Sequence, residues 1–175
     1  PKGASGNASP FDTVSGSNTG MNAPAAMVMN HAGDLFTANQ SGDSVEEFAP
    51  GAIGNAKPIV TITGSNTQLS SPDGIALNST GDLWVANGSS TGSLVELRPV
   101  NGNMSPIATI TSASFDSVQL SNLTFDSSGD LFVTALNNNE VFEFAAGAKG
   151  DATPIATIAG PSTGLNGPND VAVDS

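Results

Sequence analysis

Nucleophilic and acid–base chemistry in this chain would have to come from hydroxyls and carboxylates, because it has one histidine, His31, and no cysteine. Two stretches, Gly88-Ser-Ser-Thr-Gly92 and Gly160-Pro-Ser-Thr-Gly164, carry the G-x-S-x-G spacing of a hydrolase nucleophile. Such a serine reacts only from a strained strand-to-helix turn with a histidine base in reach. Both stretches sit instead in Ser/Gly-rich segments between short β-type runs, with no helical periodicity nearby, and read as loops. The 16 acidic side chains are the larger reservoir. Asp34, Asp82 and Asp130 are 48 residues apart, and Glu47, Glu96 and Glu143 follow nearly the same spacing. Groups that recur so regularly read as structural, the aspartates as turn formers and the glutamates as one solvated acid per unit.

The same spacing runs through the whole chain. Pro10, Pro58, Pro106 and Pro154 are each 48 apart, as are Gly6, Gly54, Gly102 and Gly150. Gly-Asp-Leu recurs at Gly33, Gly81 and Gly129, followed by Phe36, Trp84 and Phe132 in matching places. Within one unit, residues 73–77 read as a strand, 78–81 as a hairpin turn whose glycine supplies positive φ, and 82–86 as the antiparallel partner. Residues 94–97 and 107–110 read as third and fourth strands, set apart by Gly, Ser, Asn and Pro. Four short strands in 48 residues, without a helix, match a β-propeller blade and no helical solenoid. The first two strands are apolar on both faces, which suits strands squeezed between neighbouring blades. His31 falls in the first-hairpin turn, where other copies carry Ser79 and Ser127, and reads as solvent-facing.

The predicted fold is therefore all-β: an incomplete β-propeller of four-stranded antiparallel blades, one segment over residues 1–175. Residues 11–15 read as the fourth strand of a preceding blade, 25–63, 73–111 and 121–159 as full blades, and 170–174 as the first strand of a next one. Propellers typically close with about four to eight blades. The chain thus reads as a fragment of a longer ring, whose exposed blade edges would drive self-association when it is expressed alone.

Against so regular a repeat, functional side chains are those that break it. At the channel end of the first strands, Asp73, Ser121, Asn122, Asn169 and Asp170 are polar where Ala25 and Ala26 are not, and they form the candidate site. Asn39, Asn78, Asn87 and Asn122 each open an N-x-S/T glycosylation pattern, which a chain rich in these residues produces by composition.

Pro72-Asp-Gly-Ile-Ala-Leu-Asn78 followed by Gly81-Asp-Leu-Trp-Val-Ala-Asn87 resembles the first hairpin of blades in NHL-repeat and SMP-30 (gluconolactonase)-like proteins, and the likeness covers almost the whole chain. The resemblance implies anything from protein- or RNA-binding domains to lactonases and lyases. In the SMP-30-like enzymes a divalent cation, often calcium, is held at the central channel by oxygen ligands from different blades. The resemblance places Asp73 and Asn169 among such metal ligands. It is partial: the other copies read Ala25 and Ser121, and the family's glutamate ligand has no counterpart. Asp73 and Asn169 are also two repeats apart, whereas the family's ligands come from adjacent blades.

Four basic residues against 16 acidic ones leave a charge of −12, which repels nucleic acid and anionic lipid surfaces. All four, Lys2, Lys57, Arg98 and Lys149, fall in or beside third-to-fourth-strand connections, at the predicted periphery. No apolar run approaches the roughly 18 residues of a transmembrane helix, and the first residues lack a signal-peptide centre. A weakly charged surface of Ser, Thr, Asn and Gly suggests a secreted or cell-surface setting. With catalytic groups scarce, the leading expectation is a non-catalytic scaffold that binds a protein or glycan. A metal-dependent lactonase or hydrolase of SMP-30 type is the alternative, and a purely structural repeat segment a third.

Overall fold

The computed structural model describes residues 6–174 and contains three antiparallel sheets in chain order. The first is β1 (Pro24–Met29), β2 (Leu35–Asn39), β3 (Ser44–Phe48) and β4 (Val60–Thr63). The second is β5 (Pro72–Leu77), β6 (Leu83–Asn87), β7 (Ser93–Leu97) and β8 (Ala108–Thr111). The third holds β9 (Leu120–Phe125), β10 (Leu131–Ala135), β11 (Glu140–Phe144) and β13 (Ala156–Ile158), with β12 (Gly150–Asp151) in the connection before β13.

Each first hairpin is built by one device. The glycine of Gly-Asp-Leu takes the left-handed conformation, φ 91° at Gly33, 85° at Gly81 and 87° at Gly129, where a Cβ would clash with its own backbone. The side chain four residues before each of the following aspartates then accepts that aspartate's backbone N–H: Asn30 from Asp34, Asn78 from Asp82 and Asp126 from Asp130, each at 2.9 Å. These closed turns fix the register of β1 on β2, β5 on β6 and β9 on β10.

The side-chain alternation of the middle sheet divides it between two cores. Leu83, Val85, Val95 and Leu97 pack with Phe36, Ala38, Val45 and Ile62 of the first sheet. Trp84, Ala86, Leu94 and Ile110 pack with Leu123, Leu131, Val133, Phe142 and Phe144 of the third. A sheet buried on both faces needs apolar residues at both parities, which is why its strands look uniformly hydrophobic. First strands stack directly on one another, β1 against β5 and β5 against β9. Gly74 permits the closest approach: a Cβ there would lie 2.3 Å from the Ser121 carbonyl oxygen and 2.7 Å from the Asn122 Cα.

Two of the expected strands carry little or no strand pairing among the described residues. Residues 11–15 hold one parallel bridge, Val14 to Gly54, in place of a strand. Residues 170–174 form no strand; Asp170 instead accepts the Asn122 amide. The blade is also not purely four-stranded. β12 adds to the middle sheet as a fifth, parallel to β8, through Gly150 opposite Ile110. Gly102 does the same against Ile62, and Gly54 against Val14. The recurrent glycines, at φ 62°, 114° and 70°, thus stitch each connection to the outer strand of the preceding repeat. The three sheets do not join into one closed sheet.

Candidate functional site

The starts of the first strands gather the predicted site residues into a row. Asp73, on β5, is half-buried, and burial raises its carboxyl above the ordinary range. Its neighbour Gly74 abuts Ser121 and Asn122 at the start of β9. The buried Ser121 hydroxyl meets both the backbone carbonyl of Asn169, at 3.0 Å, and the Asn169 side-chain oxygen. The Asn122 amide donates to the Asp170 carboxylate at 2.6 Å. These two contacts join repeat-equivalent residues, so the polar steps that break the sequence pattern hydrogen-bond to one another across successive repeats. Ser121→Ala is expected to lower stability by about 1 kcal/mol, the net worth of such a bond, in urea unfolding.

The arrangement does not suit the cation implied by the resemblance. Asn169 spends its side-chain oxygen on Ser121, and Ser121 stands between Asn169 and Asp73 in the repeat order. Among the described residues no three His, Asp or Glu side chains converge in a metal-holding group. One carboxylate and one occupied amide do not supply the several oxygen ligands that calcium takes, so the residues present do not fit such an ion.

A residue absent from the sequence candidates has the most perturbed environment. The loop between second and third strands has five residues in the middle blade, Gly88 to Gly92, and four in the others, which shifts the repeat by one. With that shift applied, Glu46 stands where the other blades have Val95 and Phe142. It is 2% exposed, receives hydrogen bonds from the Asn39 amide and the Ser44 hydroxyl, and lies against Gly20. Burial pushes its carboxyl up to about 7, against a smaller lowering by Ser44. The signal was an acid at an apolar position, present in either frame, since plain spacing sets Glu46 against Leu94 and Phe142.

The remaining candidates are structural. His31 sits exposed in its turn. Gly88–Gly92 is a strand-to-strand loop and Pro161–Thr163 a short 3-10 turn, so neither G-x-S-x-G stretch makes a nucleophile elbow. Glu47, Glu96 and Glu143 are not a solvated face. Glu47 is buried, with its carboxyl raised by burial and by Asp34, and Glu96 accepts the Asn78 amide at 2.8 Å. Asn39 and Asn87 are buried with internally bonded amides, so neither presents a glycan acceptor on the folded chain.

Toward the opposite end of the strands from Asp73, about 10–17 Å away by strand rise, a cavity of about 490 Å³ opens between the second and third blades. Trp84 and Phe125 meet edge to face on its wall, ring centroids 6.3 Å apart. Glu96, Asn78, Asp126 and Lys149 supply its polar side.

No protein-family profile matches the sequence, and no curated protein matches it. Solved structures do. Virginiamycin B lyase of Staphylococcus aureus superposes with a TM-score of 0.60 at 14% identity, over 80% of this chain and 42% of that one. A 6-phosphogluconolactonase-like protein of Bacteroides uniformis gives 0.56 at 16% identity, over 80% of this chain and 43% of its own. A protein of unknown function from Bacteroides caccae gives 0.56 at 10%, over 78% and 45%. The chain spans less than half the length of each of these proteins. At such identities the likeness is one of fold: this is an all-β chain of the β-propeller type.

Proposed function

We propose that this chain is a non-catalytic binding scaffold of the NHL/SMP-30-like kind, secreted or displayed at a cell surface, that holds a protein or glycan partner. The observation that carries the reading is the Ser121–Asn169 and Asn122–Asp170 pairing, which ties the polar residues of the channel end into structure. The Asn and Ser at the equivalent ends of the strands are likewise engaged: Asn87 bonds Gln68, Ser93 and Ser70. Binding then falls to clefts and loops, as on other rigid β scaffolds.

One observation favours a catalytic reading, a hydrolase or lactonase: burial raises the Asp73 carboxyl, which has no hydrogen-bond partner among the described residues, the condition of a general acid. The two readings separate in one experiment. The immobilised chain is offered a glycan array and a panel of lactones and esters, alongside Asp73→Asn. The scaffold reading expects captured ligand recovered unaltered and equal capture by the variant. Turnover that falls at least a hundredfold in Asp73→Asn would overturn it.

A further inference from the structure

We infer that the cavity between the second and third blades is a binding site for a short, neutral oligosaccharide. The inference rests on the scaffold reading and names the ligand class of one of its clefts.

The repeat supplies an internal control for this cavity. Between the first and second blades the equivalent connection is the four-residue Arg98-Pro99-Val100-Asn101, and Phe36 and Leu77 stand where Trp84 and Phe125 do. The third blade has five residues in that connection, Ala145 to Lys149, three of them the small Ala146, Gly147 and Ala148 that line the opening. Gly147 takes φ 74°, which lets the connection bend where Pro99 or Val100 could not. The first blade has the same five-residue connection, Ala49 to Ile53, with Gly51 at φ 73°, so the shorter and bulkier connection of the middle blade is the departure from the repeat, and the second cleft combines the longer connection with the larger aromatics Trp84 and Phe125.

The furnishing selects a ligand. Among the described residues no buried side-chain nitrogen or oxygen lacks a partner, the Trp84 indole makes no side-chain hydrogen bond, and Trp84 lines the cavity. The Asn78 amide is held by Glu96 and one Asp126 oxygen by its own turn, so the cavity offers an aromatic edge beside the second carboxylate oxygens of Glu96 and Asp126 as acceptors, which suits a ligand with one apolar face and many hydroxyls. Sugars have that shape. Two carboxylates against the single Lys149, in a chain of charge −12, disfavour phosphate, sulfate and uronate groups. The volume, about 490 Å³, lies within the range of small-ligand pockets.

Trp84 is the only tryptophan and the chain has no tyrosine, so intrinsic fluorescence reports on this cavity alone. The full chain is titrated with cellotriose, maltotriose, mannotriose and triacetylchitotriose, with trigalacturonate as the anionic control. At least one neutral trimer is expected to shift or quench the emission saturably, with trigalacturonate at least tenfold weaker. Ala146→Leu, an exposed position at the mouth, is expected to weaken binding at least tenfold while circular dichroism and thermal midpoint stay unchanged. Flat titrations with all four neutral trimers on a folded sample overturn the assignment, as does binding untouched by Ala146→Leu. Array capture that persists with flat Trp84 emission would sink this cleft and leave the scaffold reading standing, whereas ligand turnover would sink the scaffold reading itself.

Discussion

Gly74→Ala is expected to destabilise the chain by at least about 3 kcal/mol, because the added methyl has nowhere to go. An ideal Cβ at this position falls 2.3 Å from the Ser121 carbonyl oxygen and 2.7 Å from the Asn122 Cα, and both are backbone atoms of the neighbouring first strand. A side chain could rotate away; a strand can yield only by separating β5 from β9, which loosens the core shared by Leu94, Phe115 and Phe142. Gly81→Ala is the control. Gly81 has φ 85° but nothing within 4 Å of an added methyl, so its cost is the left-handed backbone alone, about 1 kcal/mol. Chemical denaturation of both variants checks the contrast. Equal, small losses would mean that the first strands do not approach as described.

The second large effect is a pH dependence carried by Glu46. Its carboxyl is raised from an ordinary value of 4.5 to about 7, so the folded state holds the proton more tightly than the unfolded one. The stability it contributes is fully present below about pH 4.5 and is lost as pH rises through about 7. The whole displacement corresponds to about 3 kcal/mol, and nearby solvent screens part of it, leaving about 1–2 kcal/mol. Glu46→Gln keeps an acceptor for the Asn39 amide and removes the titration. The variant should equal the parent near pH 4.5 and exceed it by that amount at pH 8, as followed by urea unfolding. Relief of the −12 charge at low pH affects both proteins alike, so the difference isolates Glu46. Parallel profiles would show that Glu46 stays ionised in the folded chain.

The architecture was legible because its cues are backbone cues. Gly33, Gly81 and Gly129 mark turns that only glycine makes cheaply, and their fixed spacing transmits the strand order directly. The parallel stitch of Gly54, Gly102 and Gly150 was visible as a column but not as a bond, since an isolated glycine gives no sign of the strand it will meet. At the channel end the repeat-breaking rule found Ser121, Asn122, Asn169 and Asp170, yet it could not show that they satisfy one another, because residues 48 apart become neighbours only once blades stack. Glu46 was missed for a smaller reason: it stands opposite apolar residues in either frame, Leu94 by number, Val95 in space and Phe142 in both, but its neighbour Glu47 recurs as Glu96 and Glu143, so the pair read as one solvated acidic face. The cavity depended on a length difference, the connection Arg98 to Asn101 being one residue shorter than Ala49 to Ile53 and Ala145 to Lys149, compounded by tertiary packing of Trp84 against Phe125.

The central claim is that the polar channel end is structural and the chain binds without catalysing. Calorimetric titration of the purified chain with calcium, next to Asp73→Ala and with mass followed by light scattering, tests it most directly. The account predicts no saturable heat in either protein, because Asn169 is engaged by Ser121 and Asp73 has no converging partners among the described residues. Stoichiometric calcium uptake by the parent that disappears in Asp73→Ala would contradict it and return the channel end to metal-dependent chemistry.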